Sequence, residues 1–393
     1  MKRLSLFLTL IVMGCAATWA QDPHFSQNGF AVPTYLNPAL TGNTVDWRIS
    51  ATHRTQWTGL ANNFNTTFFS ADKNISEMNA GAGLMFYHDR AGEYITNTVS
   101  ASLSYSGAKF KGKNMFILMG LNIGYTNREL DPNQFTFRDQ LQLDSDDLLE
   151  TDERLPGQIN YGTPIFGAGA VFKMRKFGGF WLGAAVNNLG VSGNTQSTDN
   201  GESIANIPMR ITAHGGFDFN VLSSYNPDNN WKARRLVLTP GFIFSMQGAQ
   251  TQLSVGTGFS YRPNESFFGR YEDQLDFIGG FWYKGLIGQE EFSDVTSQWQ
   301  IREFSASMGV DTRGLAIVYS YGLASSNFAG TGDTHEISLI FRTGLFQFIG
   351  NQKRGKSGFK GYQSGQHNSV VSPVHTYNNE LIGNKPGKGG GGD

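Results

Sequence analysis

Segments of about nine to eleven residues, in which large and small or polar residues alternate, constrain this chain more than any other feature. In the segment 253–261, one face carries leucine, valine, threonine, phenylalanine and tyrosine, and the other carries only serine and glycine. The segments 98–105, 211–219, 304–311 and 336–342 follow the same two-residue period. Because successive side chains of a strand point to opposite faces, this pattern predicts β-strands with one apolar and one small or polar face.

Glycines at alternate positions, as in Gly81-Ala82-Gly83, resemble the start of a dinucleotide-binding loop. That loop requires a third glycine three positions after the second, and Phe86 stands there. The segments 167–172 and 256–261 repeat the pattern, and each has an aromatic residue at the third position. The repetition indicates a structural role on the small-residue face of strands, where bulk is limited, rather than a phosphate site.

Composition separates the membrane barrel from the other all-β folds. Charged residues make up 16% of the chain, against roughly 25% in soluble domains, while aromatic residues reach 13%. Beyond the N-terminal region no apolar run approaches the length of a membrane-spanning helix. A soluble β-sandwich also has alternating strands, but these segments are long enough to cross a bilayer at a tilt and too numerous for one sandwich. We therefore expect an all-β, outer-membrane β-barrel.

Counting segments gives the predicted barrel. Strands are expected at 45–54, 63–72, 80–90, 96–106, 114–127, 164–174, 179–188, 208–220, 235–246, 251–262, 276–284, 303–311, 314–322 and 334–343. That makes about fourteen antiparallel strands, an even number, so both chain ends are predicted to be periplasmic. The connections 128–163, 189–207, 285–302 and 323–333 are long and predicted outside, whereas 73–79, 174–178 and 312–313 are short and predicted inside. The connections 221–234 and 263–275 are long for the inner side, which marks either docking elements or a miscounted strand pair nearby.

The first twenty residues have the pattern of a cleaved signal peptide. Lys2 and Arg3 precede the apolar run 4–12, and small residues follow up to Ala20. Cleavage after Ala20 would remove Cys15, the only cysteine, and exclude disulfides, thiolate metal sites and a cysteine nucleophile. The alternative is a lipoprotein site with Cys15 lipidated. Either reading takes the protein out of the cytoplasm.

Three regions follow the leader. The segment 21–43 contains Phe25, Phe30, Tyr35 and Leu36, which would be costly to leave in water, so we predict that it plugs the barrel lumen; the alternative is a partner-docking arm. The barrel is expected over 44–349. The tail 350–393 is basic at its start and then rich in glycine, which predicts a disordered periplasmic overhang or a segment that contacts anionic lipid or an acidic partner.

The sequence predicts no catalytic centre and no cofactor. None of the hydrolase, zinc-protease or P-loop motifs is present, and no two histidines have zinc-ligand spacing. The long loop between the fifth and sixth strands is acidic, through Asp139, Asp144, Asp146, Asp147, Glu150, Asp152 and Glu153. It lacks the glycine of an EF-hand, so a solvated loop is expected and calcium is the alternative. The net charge of −1 points to no nucleic-acid partner.

The segments QDPHFSQNGFAVPTYLNPALTGN (21–43), HRTQWTGL (53–60) and FFSADKNI (68–75) resemble the PorP/SprF family. The family comprises outer-membrane proteins of the type IX secretion system and gliding machinery of Bacteroidetes-type bacteria. The positions that carry the resemblance are Asp22, Pro23, His24, Phe25, Ser26, Gln27, Tyr35, Asn37, Pro38, Ala39, Gly42, Arg54, Gln56, Trp57 and Asp72. Asn-Pro-Ala alone is also similar to the N-terminal segment of FadL-type barrels.

The resemblance implies a barrel that helps to bind, export or anchor large surface proteins with a C-terminal signal domain, such as gliding adhesins. It also implies contacts with periplasmic ring and lipoprotein components, and it does not imply a translocation pore. The residues expected to form the plug or a partner segment are His24, Phe25, Tyr35, Asn37, Pro38, Arg54, Gln56 and Trp57. The alternative is a FadL-like channel for hydrophobic or small solutes.

Overall fold

The computed structural model describes most of the predicted barrel and part of the segment before it. The described residues are 22–23, 25, 31–44, 47–60, 63–75, 78–110, 115–130, 159–174, 179–189, 207–226, 231–248, 250–263, 275–287, 299–312, 314–324 and 332–342. The leader, the acidic loop 139–153 and the tail 350–393 lie outside them. Within these ranges, no helix has the length and apolar character needed to span a bilayer.

Strands account for nearly all of the described chain. They are β1 (Trp47–Gln56), β2 (Phe64–Ile75), β3 (Ala80–Ala91), β4 (Tyr94–Phe110), β5 (Met115–Leu130), β6 (Ile159–Met174), β7 (Phe180–Leu189), β8 (Arg210–Phe217), β9 (Phe219–Asn226), β10 (Trp231–Gln247), β11 (Gln250–Tyr261), β12 (Asp276–Ile287), β13 (Trp299–Asp311), β14 (Leu315–Ala324) and β15 (Thr334–Arg342). Two short helices precede β1: the α-helix α1 (Pro33–Leu36) and a 3-10 helix (Pro38–Leu40).

The strands close into a barrel. Strands that are neighbours in sequence pair antiparallel, with the exception of β8 and β9, which both pair with β10; β10 also pairs with β11, and β15 pairs with β1. Because β8 pairs with residues 241–247 of β10 and β9 pairs with residues 231–238, these two strands are successive parts of one wall strand, interrupted at Asp218. The described wall therefore has fourteen strand positions, which confirms the predicted number.

The two-residue period of the sequence becomes the two faces of the wall. On β5, Leu121 and Ile123 are 66% and 57% exposed on the outside, while Asn122 between them is buried on the lumen side. The outer face carries an apolar belt that also includes Phe69, Leu84, Phe86, Val99, Leu103, Met119, Phe166, Leu182, Val255, Phe281, Phe304, Met308, Ile317 and Ile337. An apolar outside around a polar inside is the arrangement of a transmembrane barrel.

The barrel has a long-loop end and a short-turn end. The connections from β5 to β6, β7 to β8, β12 to β13 and β14 to β15 lie at the long-loop end. The first strand begins and the last strand ends at the short-turn end. There the structure corrects one boundary, because most of the predicted connection 221–234 is a strand hairpin in which β9 and β10 leave only residues 227–230 between them. The β9 sequence FNVLSSYN has apolar residues in both phases, so it lacks the alternation by which the other strands were found.

Candidate functional site in the barrel lumen

The residues before β1 lie inside the barrel, and we call residues 22, 23, 25 and 31–44 the lumen segment. Every residue from Ala31 to Thr44 is buried. Pro33 and Pro38 stand at the first turns of the two short helices, where the fixed φ of proline suits the helix and its missing N–H costs no hydrogen bond. The two prolines therefore favour the two short helices at which the segment changes direction.

Aromatic rings hold the middle of the lumen segment against the wall. The ring centroid of Tyr35 lies 5.3 Å from that of Phe25, 5.7 Å from Tyr87 and 6.2 Å from Phe68, all edge to face. The Arg210 guanidinium lies 4.0 Å from the centre of the Tyr35 ring. An edge-to-face pair stabilises by about 1 kcal/mol, and a desolvated cation over a ring stabilises by about 2 kcal/mol. These contacts connect the segment to β2, β3 and β8.

The Tyr35 hydroxyl connects the two parts of the lumen segment. It donates a hydrogen bond to the carbonyl oxygen of Pro23 at 2.6 Å. Because the Tyr35 ring is buried, this hydroxyl needs a partner within the protein, and Pro23 supplies it.

Asn37 is the most connected residue of the segment. It is fully buried, and its side-chain nitrogen donates to the carbonyl oxygens of Ala170 and Ala184 at 3.2 and 3.1 Å. The same nitrogen lies 3.1 Å from His214 Nε2, while the side-chain oxygen accepts from Ala39 N at 2.9 Å. One amide side chain thus caps the 3-10 helix and attaches it to β6, β7 and β8.

Glycines on the lumen face let the backbone of the segment approach the wall. A Cβ atom on Gly81 would lie 2.3 Å from the carbonyl oxygen of Thr41, and one on Gly120 would lie 2.3 Å from Ala39 N. A Cβ on Gly169 would lie 2.1 Å from Asn37 Oδ1. Gly81, Gly120 and Gly169 are therefore places where the lumen segment touches the strands.

Charged and polar side chains hold residues 41–43 at the short-turn end. Arg48 binds Asp72 through two hydrogen bonds, Nε to Oδ1 at 2.9 Å and Nη2 to Oδ2 at 2.7 Å, and the Gly42 amide donates to the same carboxylate at 2.7 Å. Lys173 Nζ donates to Asn43 Oδ1 at 2.8 Å. These bonds fix the segment just before the chain enters β1.

Asp22 occupies a second polar site at the opposite end. Its carboxylate lies 3.4 Å from Arg128 and 3.5 Å from Arg210, and it accepts from Asn188 Nδ2 at 2.9 Å. Its backbone N–H donates to Gln247 Oε1 at 2.9 Å. These four partners stand at the long-loop ends of β5, β7, β8 and β10. Two buried guanidinium groups thus share one buried carboxylate.

The lumen segment therefore runs through the barrel from one end to the other. Asp22 lies at the long-loop end, whereas Asn43 lies at the short-turn end, where Arg342 also ends β15. The first and last described residues, Asp22 and Arg342, therefore lie at opposite ends of the barrel, and the periplasmic location of both chain ends stays a prediction. An even strand number fixes only where the first and last strands begin and end, and it does not place residues that come before β1.

Arg54 belongs to a separate buried charge cluster at the long-loop end. Its Nη2 lies 3.4 Å from Glu303 Oε2, and its Nε lies 3.9 Å from Glu336 Oε2. Lys284 Nζ binds the other oxygen of Glu303 at 2.8 Å. Two cations and two carboxylates balance one another across β1, β12, β13 and β15, so this cluster joins wall strands that the Asp22 site does not reach.

Gln56 and Trp57 lie where β1 ends. Gln56 is half-buried, and Trp57 has a left-handed backbone with φ of 60° and packs on Phe64 at 4.7 Å between ring centroids. The next residue, Thr58, donates its amide to Asp333 O at 3.3 Å and so joins the first loop to the last one. The structure thus gathers Phe25, Tyr35, Asn37 and Pro38 in the lumen, but places Trp57 on the rim.

Several predicted residues remain untested. His24 and the acidic residues 139–153 lie outside the described residues. Within the described part of the chain, no group of three His, Cys, Asp or Glu side chains could hold a metal ion. His214 faces the lumen, where its Nε2 lies 3.1 Å from Asn37 Nδ2, and Asp218 accepts a hydrogen bond from Thr239 at 2.9 Å.

The charged side chains buried on the lumen face were not predicted from the sequence. Arg128, Arg210, Lys284, Glu303 and Glu336 are all buried on the inner face. The two-residue period could have placed them on the inner face, because a charged residue at the same alternate positions as the serines and glycines of a strand faces the lumen. Their pairing could not be read in this way, since the partners come from strands far apart in sequence.

Comparisons with known proteins agree with this architecture. A protein-family model described as type IX secretion system membrane protein PorP/SprF matches residues 17–341. The comparison with curated proteins found no match.

Among solved structures, a FadL homologue from Pseudomonas aeruginosa is 11% identical with a TM-score of 0.43, over 81% of this chain and 98% of that one. The TodX deltaS2S3 mutant monoaromatic hydrocarbon channel is 10% identical with a TM-score of 0.42, over 84% and 96%. The translocator domain of autotransporter NalP from Neisseria meningitidis is 11% identical with a TM-score of 0.33, over 79% and 92%. These likenesses concern the fold alone.

Proposed function

The chain belongs to the PorP/SprF family of type IX secretion system membrane proteins, and on this premise we propose that it is a non-catalytic component that binds, exports or anchors large cell-surface proteins. The closed barrel with its apolar outer belt agrees with a place in the outer membrane. The proposed cargo has a C-terminal signal domain of the gliding-adhesin type. Periplasmic ring and lipoprotein components are the proposed machinery partners.

The occupied lumen is the observation that carries this proposal. The lumen segment is buried from Ala31 to Thr44 and is bonded to the wall at both ends, through Asp22 and through Gly42. Passage of a polypeptide would require the loss of both polar sites and of the aromatic contacts between them. A barrel closed in this way is suited to hold other proteins at its rims rather than to conduct them.

The two ends of the barrel offer different surfaces for this role. We propose that the long-loop end faces the cell exterior, because long loops are usual on the outside and short turns on the periplasmic side. The cargo would then meet the long loops, and the machinery would meet the short-turn end. In this orientation the residues near Asp22 face the outside, and the tail after Arg342 starts in the periplasm.

A FadL-like channel is the alternative function. A cavity of about 20 Å³ lies between the lumen segment and the wall, next to Tyr35 and Leu36. Its wall side combines Ile243 with the polar residues Arg210, Thr212, Ser245, Gln252 and Ser254. A space of this size holds about one water molecule, whereas sites for small-molecule ligands measure roughly 300–1,000 Å³. This cavity is therefore too small for a hydrophobic solute, which favours the adaptor.

Loss of the whole protein tests the proposal first. In cells without it, surface proteins with a C-terminal signal domain should fail to reach or stay on the cell surface, as measured by surface labelling. Purification in mild detergent should recover such a protein, or periplasmic lipoproteins, in near-equal amounts with the barrel. Normal surface labelling in the deleted cells would refute the adaptor function, and a lone barrel with steady conductance would support the channel.

Two tryptophans at opposite ends give a matched pair of variants. Trp57 lies on the long-loop rim and Trp47 begins β1 at the short-turn end, 44% exposed. We expect Trp57→Ala to reduce the amount of retained surface protein at least fivefold, and Trp47→Ala to leave it unchanged. Equal effects of the two substitutions would remove the rim around Trp57 as the cargo contact.

A further inference from the structure

Among the described residues, the strand β9 has a strand partner on only one side. It pairs with β10 over residues 219–226, and it ends the order of strands in the sheet. The neighbouring wall strand β7 begins at Phe180, which pairs with Phe217, and Gly179 O accepts the amide of Asp218. Beyond Asp218 no strand among the described residues pairs with the second edge of β9. We call β9 and residues 231–238 the edge hairpin.

The edge hairpin extends past the neighbouring wall at the short-turn end. Phe219 and Val221 point to the outer side and are 51% and 52% exposed, while Leu222, in the other phase, is 47% exposed. In the barrel proper the inner phase is buried, as it is for Thr212 and His214 on β8. Exposure of both faces in residues 219–222 therefore indicates that β9 continues the wall strand of β8 beyond the end of the neighbouring wall.

An edge strand with apolar side chains on both faces tends to pair with another strand. Its unpaired N–H and C=O groups form a template for strand addition, and barrels normally remove such edges by closure. Proteins protect exposed edges with charge or proline, but the β9 sequence FNVLSSYN has neither. This edge is therefore suited to β-augmentation, in which an extended segment adds one more strand.

Charge selects among the possible occupants. Within 219–238, Lys232, Arg234 and Arg235 stand against the single acid Asp228. The chain's own tail 343–393 has six lysines and arginines against two acids, so it would be repelled by the hairpin. A second copy of this chain is also excluded as the occupant. Two copies in one membrane have the same orientation, so their β9 strands run in the same direction. Two identical edges that pair about a two-fold axis must run in opposite directions.

We propose that the edge hairpin is a docking site for an extended segment with excess acidic residues, contributed by another protein at the short-turn face. The added strand pairs with the open edge of β9, places apolar residues beside Phe219 and Val221, and brings acids near the basic end of β10. The periplasmic location of the partner rests on the orientation proposed above. The open edge itself follows from the pairing of the strands.

Photo-crosslinking in the native membrane tests the strand geometry. A photo-reactive amino acid is placed at Asn220 in one variant and at Leu222 in another, and only barrel that retains the heat-modifiable folded mobility is analysed. We expect both variants to crosslink to the same partner protein, at partner residues two positions apart, within a segment that has more acids than bases. Matched controls place the photo-reactive residue at Leu84 on the lipid face and at Leu60 on the opposite rim, where this crosslink should be absent.

Charge reversal supplies a second measurement. The double variant Lys232→Glu with Arg234→Glu should lower the yield of this crosslink at least fivefold in folded barrel. An unchanged yield would overturn the choice of an acidic segment. Crosslinks only to lipid, to a second copy or to residues 343–393, crosslinks without the two-residue spacing, or no crosslink at all would overturn docking on β9.

The outcome is separable from the test of function. If deletion of the protein abolishes surface labelling but the edge variants give no partner, the adaptor function stands and the docking site is rejected. If labelling is normal in deleted cells, the adaptor function is rejected, whatever the crosslinks show about β9.

Discussion

Gly120 provides the sharpest test of how the lumen segment is held. A Cβ atom at this position would lie 2.3 Å from both Ala39 N and the carbonyl carbon of Pro38. Ordinary contacts between such atoms begin near about 3.5 Å, so Gly120→Ala must displace the 3-10 helix by roughly 1 Å. The bonds from Asn37 to Ala170 O and Ala184 O, now 3.2 and 3.1 Å, would then exceed hydrogen-bonding distance.

The energetic cost follows from these bonds. Each buried hydrogen bond contributes about 1 kcal/mol, and Asn37 loses two of them together with its contact to His214, so the substitution should cost about 3 kcal/mol. Opening of the segment should become about a hundredfold more frequent, since each 1.4 kcal/mol is a factor of ten. Amide hydrogen exchange measures this directly, because Leu40 N and Thr41 N are bonded within the 3-10 turn.

Gly124→Ala is the matched control on the same strand and face. Its Cβ would clash at 2.5 Å with Ser100 Cβ and Val99 O, which belong to β4 and not to the lumen segment. We expect Gly120→Ala to accelerate exchange of the Leu40 and Thr41 amides about a hundredfold, and Gly124→Ala to leave them unchanged. Unchanged exchange in Gly120→Ala, or equal acceleration in both variants, would refute the close approach of the segment to Gly120.

The remaining predictions concern charge and the lipid face. Asp22→Asn leaves two buried guanidinium groups without their shared carboxylate, at a cost of about 3–5 kcal/mol. The N-terminal residues should then be released, so an added aminopeptidase should shorten the chain of the folded barrel, as measured by intact mass. An N-terminus that resists the aminopeptidase would contradict this. Glu303→Gln should lower the temperature at which the heat-modifiable folded band is lost, because two cations lose the acceptor charge between them, with a cost of about 3 kcal/mol; an unchanged transition would show that the cluster contributes nothing net. Leu121→Arg on the outer belt should cost about 2–4 kcal/mol in vesicle unfolding by urea, and Asn127→Arg nearer the strand end about 0–1 kcal/mol. Equal costs at the two positions would argue against a lipid-facing belt around Leu121.

The wall of the barrel could be predicted from single segments. Leu121 is exposed on the outer face and its neighbour Asn122 is buried on the lumen face, and the two-residue period of the strand predicts this difference. The number of wall strands followed in the same way, because each strand crosses once and has its own alternating segment. The strand β9 escaped prediction because residues 219–222 are exposed in both phases of the strand, so burial imposes no two-residue period on them.

The lumen site was only partly accessible from sequence. The apolar residues Phe25 and Tyr35 in a segment before the first strand were sufficient to predict burial, since their exposure would be unfavourable. The position of Asp22 at the far end of the lumen was not predictable. It depends on Arg128 and Arg210, which are 82 residues apart in the chain and meet only when β5 and β8 curve around the same space.

The sequence by itself determined the all-β class, the two faces of each strand and the family, because these depend on neighbours within about ten residues and on local motifs. Only the tertiary structure decided which glycines receive the lumen segment, which charges pair across the lumen, and which strand keeps an open edge. The physical reason is closure. Bending fourteen strands into a ring brings distant residues within hydrogen-bonding distance, and that distance is a property of the ring and not of any one segment.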